Sequence, residues 1–377
     1  MALVINEEQQ MLKTSAAEYL KEKAPVAALR KLRDENTPQG YDINLWKEMA
    51  EMGWASLIIP EQYGGLDFGY VGFGQLLEEM GRTLTASPMI STVLVSTHAI
   101  LLGGNDVQKD TLLPAIGSGE LVMTLALEEG KQHNPIKTTL SAVESVHGYT
   151  LNGKKTFVLD GQVADKLIVV ARTSGNVGDK DGLTMFLVDA KAEGISISHT
   201  PMMDSRNAAT ITFENVYASE LLGEIDQAFP ILNKVLDIAY IGLSAEMLGS
   251  MMEAFERTVK YLQERKQFEV PIGSFQGLQH RAAVMYGEIE ICKSMVIKSL
   301  QAIDRDKKDL SRIASMCKAK IGETIKLVTN EGVQMFGGIG MTDDEEIGFF
   351  LKRARVAQQT FGDYNYHLDR YAKILGF

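Results

Sequence analysis

The chain has 377 residues, of which 45% are hydrophobic and 23% charged, a composition typical of a soluble globular protein with room for two or three domains. Its formal net charge of −11 would repel the phosphate backbone of a nucleic acid, so we expect no nucleic-acid partner. No uninterrupted apolar run approaches the roughly 18 residues of a membrane span, and the six histidines show no metal-ligand spacing, so we expect neither a membrane span nor a metal. The only two cysteines, Cys292 and Cys317, indicate reduced thiols and a cytoplasmic location.

The first segment, residues 1–119, is predicted to be helical. Apolar residues recur at spacings of three and four in residues 7–24, 73–84 and 95–104. Between these stretches, IIPEQYGG contains Pro60, Gly64 and Gly65 and is predicted to be a loop.

The second segment, residues 120–222, changes to short runs rich in β-branched residues. The runs are LVMTLALEE, TTLSAVES, YTLNGKKTFVL, DKLIVVART, LTMFLVDA and ATITFENVYA. The connections between them are too short for crossover helices, which favours a small antiparallel sheet or β-barrel over a parallel sheet. Within this segment Asn152-Gly153 predicts a hairpin turn.

The third segment, residues 223–377, again has a helical pattern. Four long amphipathic helices are predicted at about 229–265, 276–304, 308–336 and 344–374. Long helices with short connections are typical of a four-helix bundle. The predicted fold class is therefore α+β, with a helical domain, a small β-barrel and a four-helix bundle in that order.

Three stretches are candidates for a functional role, each with a simpler structural alternative. ERKQFEVPIGSFQGLQ places Arg265 at a helix end beside Phe268, which suits a phosphate or is a solvated turn. The glycines of QMFGGIG, residues 334–340, allow close approach of a ligand or form a C-cap. Phe157 in NGKKTFVLDG would cover a flat cofactor or belong to the sheet core.

Taken together and in this order, these stretches resemble the acyl-CoA dehydrogenase family over nearly the whole chain. IIPEQYGG, LNGKKTF with VADKLIVVA, VLDIAYIGLSAEMLG, YLQERKQFEVPIGSFQGLQ and QMFGGIG each resemble a family segment. The resemblance implies the fold predicted above. It also implies bound FAD, oxidation of an acyl-CoA to its 2,3-enoyl-CoA, and electron-transfer flavoprotein as acceptor.

The resemblance also implies which residues would bind the cofactor. In the family each FAD contacts two protomers. One protomer supplies the pyrophosphate and adenosine contacts, which match Arg265, Phe268, Gln276, Gln334, Gly337 and Gly338 here. The other supplies the flavin wall, which corresponds here to Leu127, Phe157 and Val158.

The sequence departs from the family at the catalytic base. The glutamate of the family's Tyr-Glu-Gly-Thr motif aligns with Phe361, and Asp363 stands in place of the threonine. Some members carry the base in a Glu-Arg pair at the start of the bundle, and that position holds Ala239-Tyr240. The usual Thr-Glu-Pro-Gly and Trp-Ile-Thr of the β-domain read LEEG and FVL. No catalytic residue is therefore assigned with certainty.

We interpret the chain as a subunit that lacks the usual glutamate and works in a hetero-oligomer, a dimer of dimers, with a Glu-bearing partner. Its tail TFGDYNYHLDR resembles small subunits of heteromeric members, such as that of pimeloyl-CoA dehydrogenase and several from steroid side-chain dehydrogenases. The alternatives are a homo-oligomeric enzyme with a relocated base, for which Asp363, Glu128 and Glu129 are candidates, a flavin-free assembly subunit, and a flavin-dependent oxygenase.

Overall fold

The structure, a computed structural model, describes residues 3–377 and divides into two compact units. The helical unit contains the described residues as far as Asp34, with Tyr70–Thr85 and Tyr240–Phe377. The sheet unit contains Glu35–Gly69 and Ala86–Ala239. Each unit is therefore assembled from separate chain segments, and the predicted division at 119/120 and 222/223 stays a prediction.

Within residues 3–119 the regular elements are helices, as predicted. The helices are α1 (Glu7–Lys23), α2 (Val26–Asp34), α3 (Ile43–Glu51), α4 (Tyr70–Thr83), α5 (Thr97–Gly103) and α6 (Asp106–Gly117). Two of them begin with a capping box, in which an Asn side chain and a Gln three residues later satisfy each other's amide groups: Asn6 with Gln9, and Asn105 with Gln108. The sequence did not predict the π-helix at Met89–Ser96, which leads into α5.

The middle of the chain forms one eight-stranded sheet. Its strands are β1 (Met123–Ala126), β2 (Ser141–Ser145), β3 (Gly148–Leu159), β4 (Lys166–Arg172), β5 (Leu183–Asp189), β6 (Ile195–His199), β7 (Ala208–Ala218) and β8 (Glu220–Leu222). The order is β6-β7-β3-β2-β4-β5-β8, and β1 pairs with β4. Pairing is antiparallel, as predicted, except for β1 with β4 and a single bridge between β2 and β4. The sequence missed β6 and β8, which are short.

The predicted hairpin turn at Asn152-Gly153 is wrong, because both residues lie inside β3. The Asn152 amide instead bonds to Asn215 on β7: Nδ2 donates to Oδ1 at 3.2 Å, and the Asn215 backbone N–H donates to Asn152 Oδ1 at 2.8 Å. A Cβ at Gly153 would lie 2.9 Å from Cα of Leu140. The dipeptide therefore marks an irregular pairing of β3 with β7 rather than a chain reversal.

Long helices return in the last part of the chain. They are α7 (Ala228–Glu264), α8 (Gln276–Asp304), α9 (Leu310–Phe336), α10 (Ile347–Gln359) and α11 (Tyr364–Ile374). The prediction of a single helix over 344–374 is wrong, because the helix is interrupted between α10 and α11. Phe361 and Gly362 have φ values of 58° and 98°, which no α-helix accommodates.

Helix α7 bears on the expectation that no apolar run approaches the length of a membrane span. It contains an 18-residue window of mean hydropathy 1.3, long and apolar enough to cross a membrane. All of that window is buried within the protein, which is how the core helix of a globular protein looks, so it is weak support for a membrane span.

Candidate cofactor and active site

The corner between α7 and α8 is a short hairpin rather than a simple turn. The strands β9 (Lys266–Gln267) and β10 (Val270–Pro271) pair, and Phe268 and Glu269 at the tip have φ values of 53° and 67°. Arg265 is fixed at the base, because its N–H donates to Tyr261 O and its carbonyl accepts from Ile272 N, both at 2.8 Å. The main chain around the exposed Arg265 is therefore well defined.

Two aromatic rings stand at this corner. The Phe268 ring is 86% exposed and meets Phe275 edge to face, with 6.2 Å between the ring centroids. Gln276 follows as the first, exposed residue of α8. Within residues 3–377 the Arg265 guanidinium forms no ion pair, so its charge is available to an anion.

The glycine motif begins where α9 ends. Gly337 has φ 68° and ψ −142°, a conformation that strongly favours glycine, and a Cβ on Gly337 or Gly338 would meet nothing within 4 Å. Gly340 differs, because its Cβ would lie 2.8 Å from Cβ of Phe336. Gly337 and Gly338 therefore present bare backbone on an open surface, whereas Gly340 serves internal packing. Gln334 beside them is exposed.

Tyr261 connects the corner to the glycine motif within the helical unit. Its ring stacks on Phe336 with a centroid distance of 4.3 Å and an interplanar angle of 15°. Its hydroxyl donates to the Phe336 carbonyl at 3.3 Å, and its own carbonyl accepts from Arg265 N. Tyr261 thus links the two stretches that the sequence singled out separately: its side chain contacts Phe336, and its backbone carbonyl bonds to Arg265.

The predicted flavin-wall residues lie in the sheet unit. Phe157 occupies a β-bulge in β3 with φ 50°, and its ring is 48% exposed. A bulge re-aims a side chain, so this ring is not part of the sheet core. Val158 is buried in that core, and Leu127 is buried with its carbonyl accepting from Lys155 Nζ at 3.0 Å.

Glu129 is used structurally in this unit. Lys155, fully buried, forms an ion pair with it at 2.7 Å, and the backbone N–H groups of Thr139 and Leu140 donate to it at 2.7 and 3.0 Å. Burial opposes ionisation of Glu129, but Lys155 and these donors outweigh it and lower the pKa of the carboxyl group. A carboxylate held in this way is a poor proton acceptor.

Glu128, next to it, makes a different contact. Its side chain bonds to Nδ1 of His133, a ring that is almost completely buried, while the carboxylate is 21% exposed. The backbone carbonyl of Glu128 accepts from Thr156 N at 2.7 Å. Of the three carboxylates considered as relocated bases, Glu128 is the one whose side chain bonds to a histidine.

Of the two positions where family members carry a base, the first lies beside a buried histidine in the helical unit, and the second, Ala239, belongs to the sheet unit. Phe361 stands at the first position, and its carbonyl lies 3.1 Å from Nε2 of His367. Tyr240, which stands where the arginine of the Glu-Arg pair would be, meets the ring of His367 edge to face, at 4.6 Å between centroids. His367 is fully buried, as is Tyr240. An aromatic and histidine cluster therefore surrounds the place of the usual carboxylate, which Phe361 occupies.

A buried lysine holds the same turn. Lys318 Nζ donates to the carbonyls of Ala357, Gln358 and Gly362 at 3.0, 3.2 and 3.1 Å. Burial lowers the pKa of Lys318 to about 7, although the nearby Asp363 opposes the shift. The carbonyls that α10 leaves free at its C-terminus are thereby satisfied by one side chain.

Asp363 caps α11. Its carboxylate accepts from Tyr366 N at 2.8 Å, which gives it the ordinary role of an N-cap residue. This matches the structural alternative for Asp363 and leaves its proposed role as a base without support from the geometry.

Three family domains match the chain in order. Residues 6–120 match "Acyl-CoA dehydrogenase, N-terminal domain", residues 127–216 the middle domain and residues 228–376 the C-terminal domain. The chain belongs to the acyl-CoA dehydrogenase family. The predicted family and fold class are confirmed, and members of this family are flavoproteins that typically bind FAD.

Two curated relatives and one solved structure show where the chain stands within the family. It is 32% identical to a "3-(aryl)acrylate reductase" of Clostridium sporogenes, over 82% of this chain and 84% of the relative. It is 30% identical to an "Acryloyl-CoA reductase (NADH)" of Anaerotignum propionicum, over 95% and 92%. A structure of a "Tcur3481-Tcur3483 steroid ACAD" variant superimposes with a TM-score of 0.88 at 31% identity, covering 98% of both chains.

Sequence reasoning missed three residues around these positions: Tyr261, Lys318 and His367. All three are separated by tens of residues from some of the atoms they contact. A lysine inside an apolar helical pattern, as in ASMCKAKIG, was the one available signal, since such a residue needs buried acceptors. The histidine and tyrosine carried no comparable signal.

Proposed function

We propose that this chain is a subunit of an FAD-dependent acyl-CoA dehydrogenase that acts on the C2–C3 bond of an acyl-CoA thioester. In this proposal it lacks the usual catalytic glutamate and completes the cofactor site of a Glu-bearing partner in a hetero-oligomer. The observation that carries the proposal is the contrast between an open surface, at which Arg265, Gly337 and Gly338 are exposed, and a turn with Phe361 at the position that aligns with the usual base.

The surface residues fit an FAD pyrophosphate. Arg265 offers an uncompensated guanidinium fork, and Gly337 and Gly338 offer backbone with no side chain in the way. Phe268 would pack on the cofactor, while Gln276 and Gln334 would donate hydrogen bonds to it. Because all six residues face solvent, they suit a cofactor that is held largely by a partner chain.

Bound FAD would accept the hydride that leaves C3. Removal of the C2 proton needs a desolvated carboxylate with a raised pKa. Phe361 and Ala239 cannot accept that proton, Asp363 is used as an N-cap, and Glu129 has a lowered pKa. These placements favour a partner-supplied base over a relocated one. Glu128, with His133 beside it, is the remaining candidate if the chain is a complete homo-oligomeric enzyme.

A second candidate function is the reverse reaction, reduction of a 2,3-unsaturated acyl compound. It is favoured by two relatives at 30% identity or more that are named as reductases. In this direction C3 receives a hydride and C2 a proton, so the same surfaces would serve with a proton donor in place of the base. The steroid name of the solved relative and the aryl name of the first relative both point to a bulky acyl group.

The deciding experiment measures bound flavin per chain and native mass on one sample of the purified chain. Little or no flavin alone, followed by full flavin when a Glu-bearing subunit is co-expressed, is the expected result. One FAD per chain in a homo-oligomer that acyl-CoA bleaches would overturn the subunit assignment. A complex that stays colourless with its partner would instead identify a flavin-free assembly subunit. Electron-transfer flavoprotein and NADH are then compared as redox partners.

Substituting Arg265 tests the cofactor assignment directly. Arg265→Ala removes a charged hydrogen bond of about 1.5–3 kcal/mol, so flavin affinity of the complex should fall roughly tenfold or more. Arg265→Lys should restore little, because a lysine cannot form the two-pronged contact. The matched control is Lys266→Ala, which removes one exposed positive charge from the next residue. Unchanged flavin content in Arg265→Ala would rule this assignment out.

A further inference from the structure

The turn that joins α8 to α9 carries a pocket lined by basic side chains. The cavity has a volume of about 310 Å³, and four of its nine lining residues are cationic: Lys298, Arg305, Lys307 and Arg312. The volume lies near the lower end of the roughly 300–1,000 Å³ that small-molecule sites occupy. The pocket lies wholly within the helical unit.

The local charge runs against that of the whole chain. Residues 298–312 carry five cations and three carboxylates, whereas the chain has a net charge of −11. Asp304 accepts from Tyr70 N at 2.6 Å, whereas Asp309 lines the pocket and pairs with Arg312 at 2.5 Å, so the excess positive charge comes from the other cations. In the part of the chain that the structure describes, Lys298 and Lys307 have no ion-pair partner.

The start of α9 adds to the positive potential. This 27-residue helix begins at Leu310, and its N-cap residue Asp309 makes no side-chain bond to the first-turn amides. Free amides and the helix dipole make such an N-terminus attractive to anions. Cations at the end of α8 would also complement its own C-terminus at Asp304, but that effect fades within one turn and Lys298 lies six residues earlier.

We propose that this pocket binds the phosphate group of a nucleotide-sized anion. Lys298 and Lys307 supply point charges, and the Arg305 guanidinium and that of Arg312, which also pairs with Asp309, complete a set of cations of the kind that binds phosphate. The proposal is independent of the function proposed above. Gln276 and this pocket lie at opposite ends of the 29-residue α8, which at about 1.5 Å per residue separates them by roughly 40 Å.

Calorimetric titration of the purified full chain with ADP, and separately with inorganic phosphate, tests the pocket. The test variant is Lys298→Gln/Lys307→Gln. The matched control is Lys293→Gln/Lys326→Gln, which removes two positive charges from α8 and α9 outside the pocket. ADP affinity should fall at least tenfold in the test variant and less than twofold in the control. If inorganic phosphate competes with ADP, the pocket recognises the phosphate group alone. If ADP binds and phosphate does not compete, the pocket recognises a nucleotide.

Three results would overturn the proposal. Neither ADP nor phosphate binds, or the control loses as much affinity as the test variant, which would mean non-specific attraction. The third is ADP binding that Arg265→Ala abolishes and Lys298→Gln/Lys307→Gln leaves intact, because ADP would then occupy the cofactor surface. Failure of the cofactor assignment is recognised separately, since it appears in flavin content and not in this titration.

Discussion

Arg353 and Glu246 form a two-pronged ion pair in the interior of the helical unit. Arg353 Nε and Nη2 on α10 donate to Oε1 and Oε2 of Glu246 on α7 at 3.0 and 3.1 Å. Both side chains are more than 90% buried. The ion pair therefore connects α10 to α7 in the interior of this unit.

Removing the guanidinium should be costly. Arg353→Met leaves the Glu246 charge buried without its cationic partner, and breaking such a pair typically costs about 3–5 kcal/mol of unfolding free energy. Urea denaturation monitored by circular dichroism measures the loss. The control is Lys260→Met, which breaks the exposed pair with Glu264 and should cost less than about 1 kcal/mol. If Arg353→Met loses no more unfolding free energy than Lys260→Met, the Arg353–Glu246 pair is exposed to water.

At the scale of elements, the turn between α10 and α11 is the most constrained feature near the missing base. Gly362 has φ 98°, and its carbonyl accepts from Lys318 on α9. Phe361 beside it has φ 58°, which is unfavourable for a residue with a Cβ. The turn persists because Lys318 and His367 each bond to its carbonyls.

Gly362→Ala should therefore destabilise the protein strongly. The new Cβ would lie 2.4 Å from Cδ1 of Tyr366, in addition to the unfavourable φ. We expect a loss of about 2–4 kcal/mol of unfolding free energy. Gly376→Ala separates the two causes, because Gly376 has φ 88° but open space around it, and should cost only about 1 kcal/mol. Equal losses of unfolding free energy in the two variants would mean that the Tyr366 ring moves away from the new Cβ at little cost.

Lys318 should make stability depend on pH. Its pKa is about 7 in the folded chain and near its ordinary 10.5 when unfolded, so between these values the unfolded state binds the extra proton. The free energy of unfolding should therefore rise as pH increases from about 7 to 10.5. Subtracting the profile of Lys318→Met isolates this contribution. Lys326→Met, an exposed lysine of the same helix, should leave the profile unchanged, and a flat difference for Lys318→Met would contradict the lowered pKa.

At the scale of the whole molecule, the helical unit has an exposed apolar face on α8. Val284 and Ile291 are seven residues apart, hence on one face of the helix, and they are 57% and 51% exposed. Gly287 between them is exposed as well. A face of this kind supports the proposed oligomer, because apolar side chains on a helix are usually covered.

Charged substitutions on this face should disrupt assembly. We expect Val284→Asp/Ile291→Asp to lower the native mass toward that of the single 41.5-kDa chain, with a dissociation constant raised more than tenfold. Native mass spectrometry over a dilution series measures this. Val146→Asp/Val107→Asp changes two exposed valines of the sheet unit and should leave the mass unchanged. An unaffected native mass in the α8 variant would place the interface elsewhere.

The sequence by itself determined the order of helical, sheet and helical segments, the family, and the two stretches around Arg265 and Gly337. These features depend on local periodicity and on motifs within about ten residues, which a sequence displays directly. The same local reasoning failed at Asn152-Gly153, because a dipeptide that favours a hairpin turn was used at an irregular strand pairing. It failed again at Phe361-Gly362, where an apolar helical pattern concealed a break.

Only the tertiary structure decided how distant residues are combined. Tyr261 joins the corner to the glycine motif, His367 joins Phe361 to Tyr240, and Lys318 holds the turn at Gly362. The structure also distinguished Asp363 as a cap and Glu129 as the partner of Lys155 from carboxylates available for chemistry. Such roles depend on burial and on partners remote in sequence, which are fixed only when the chain has packed.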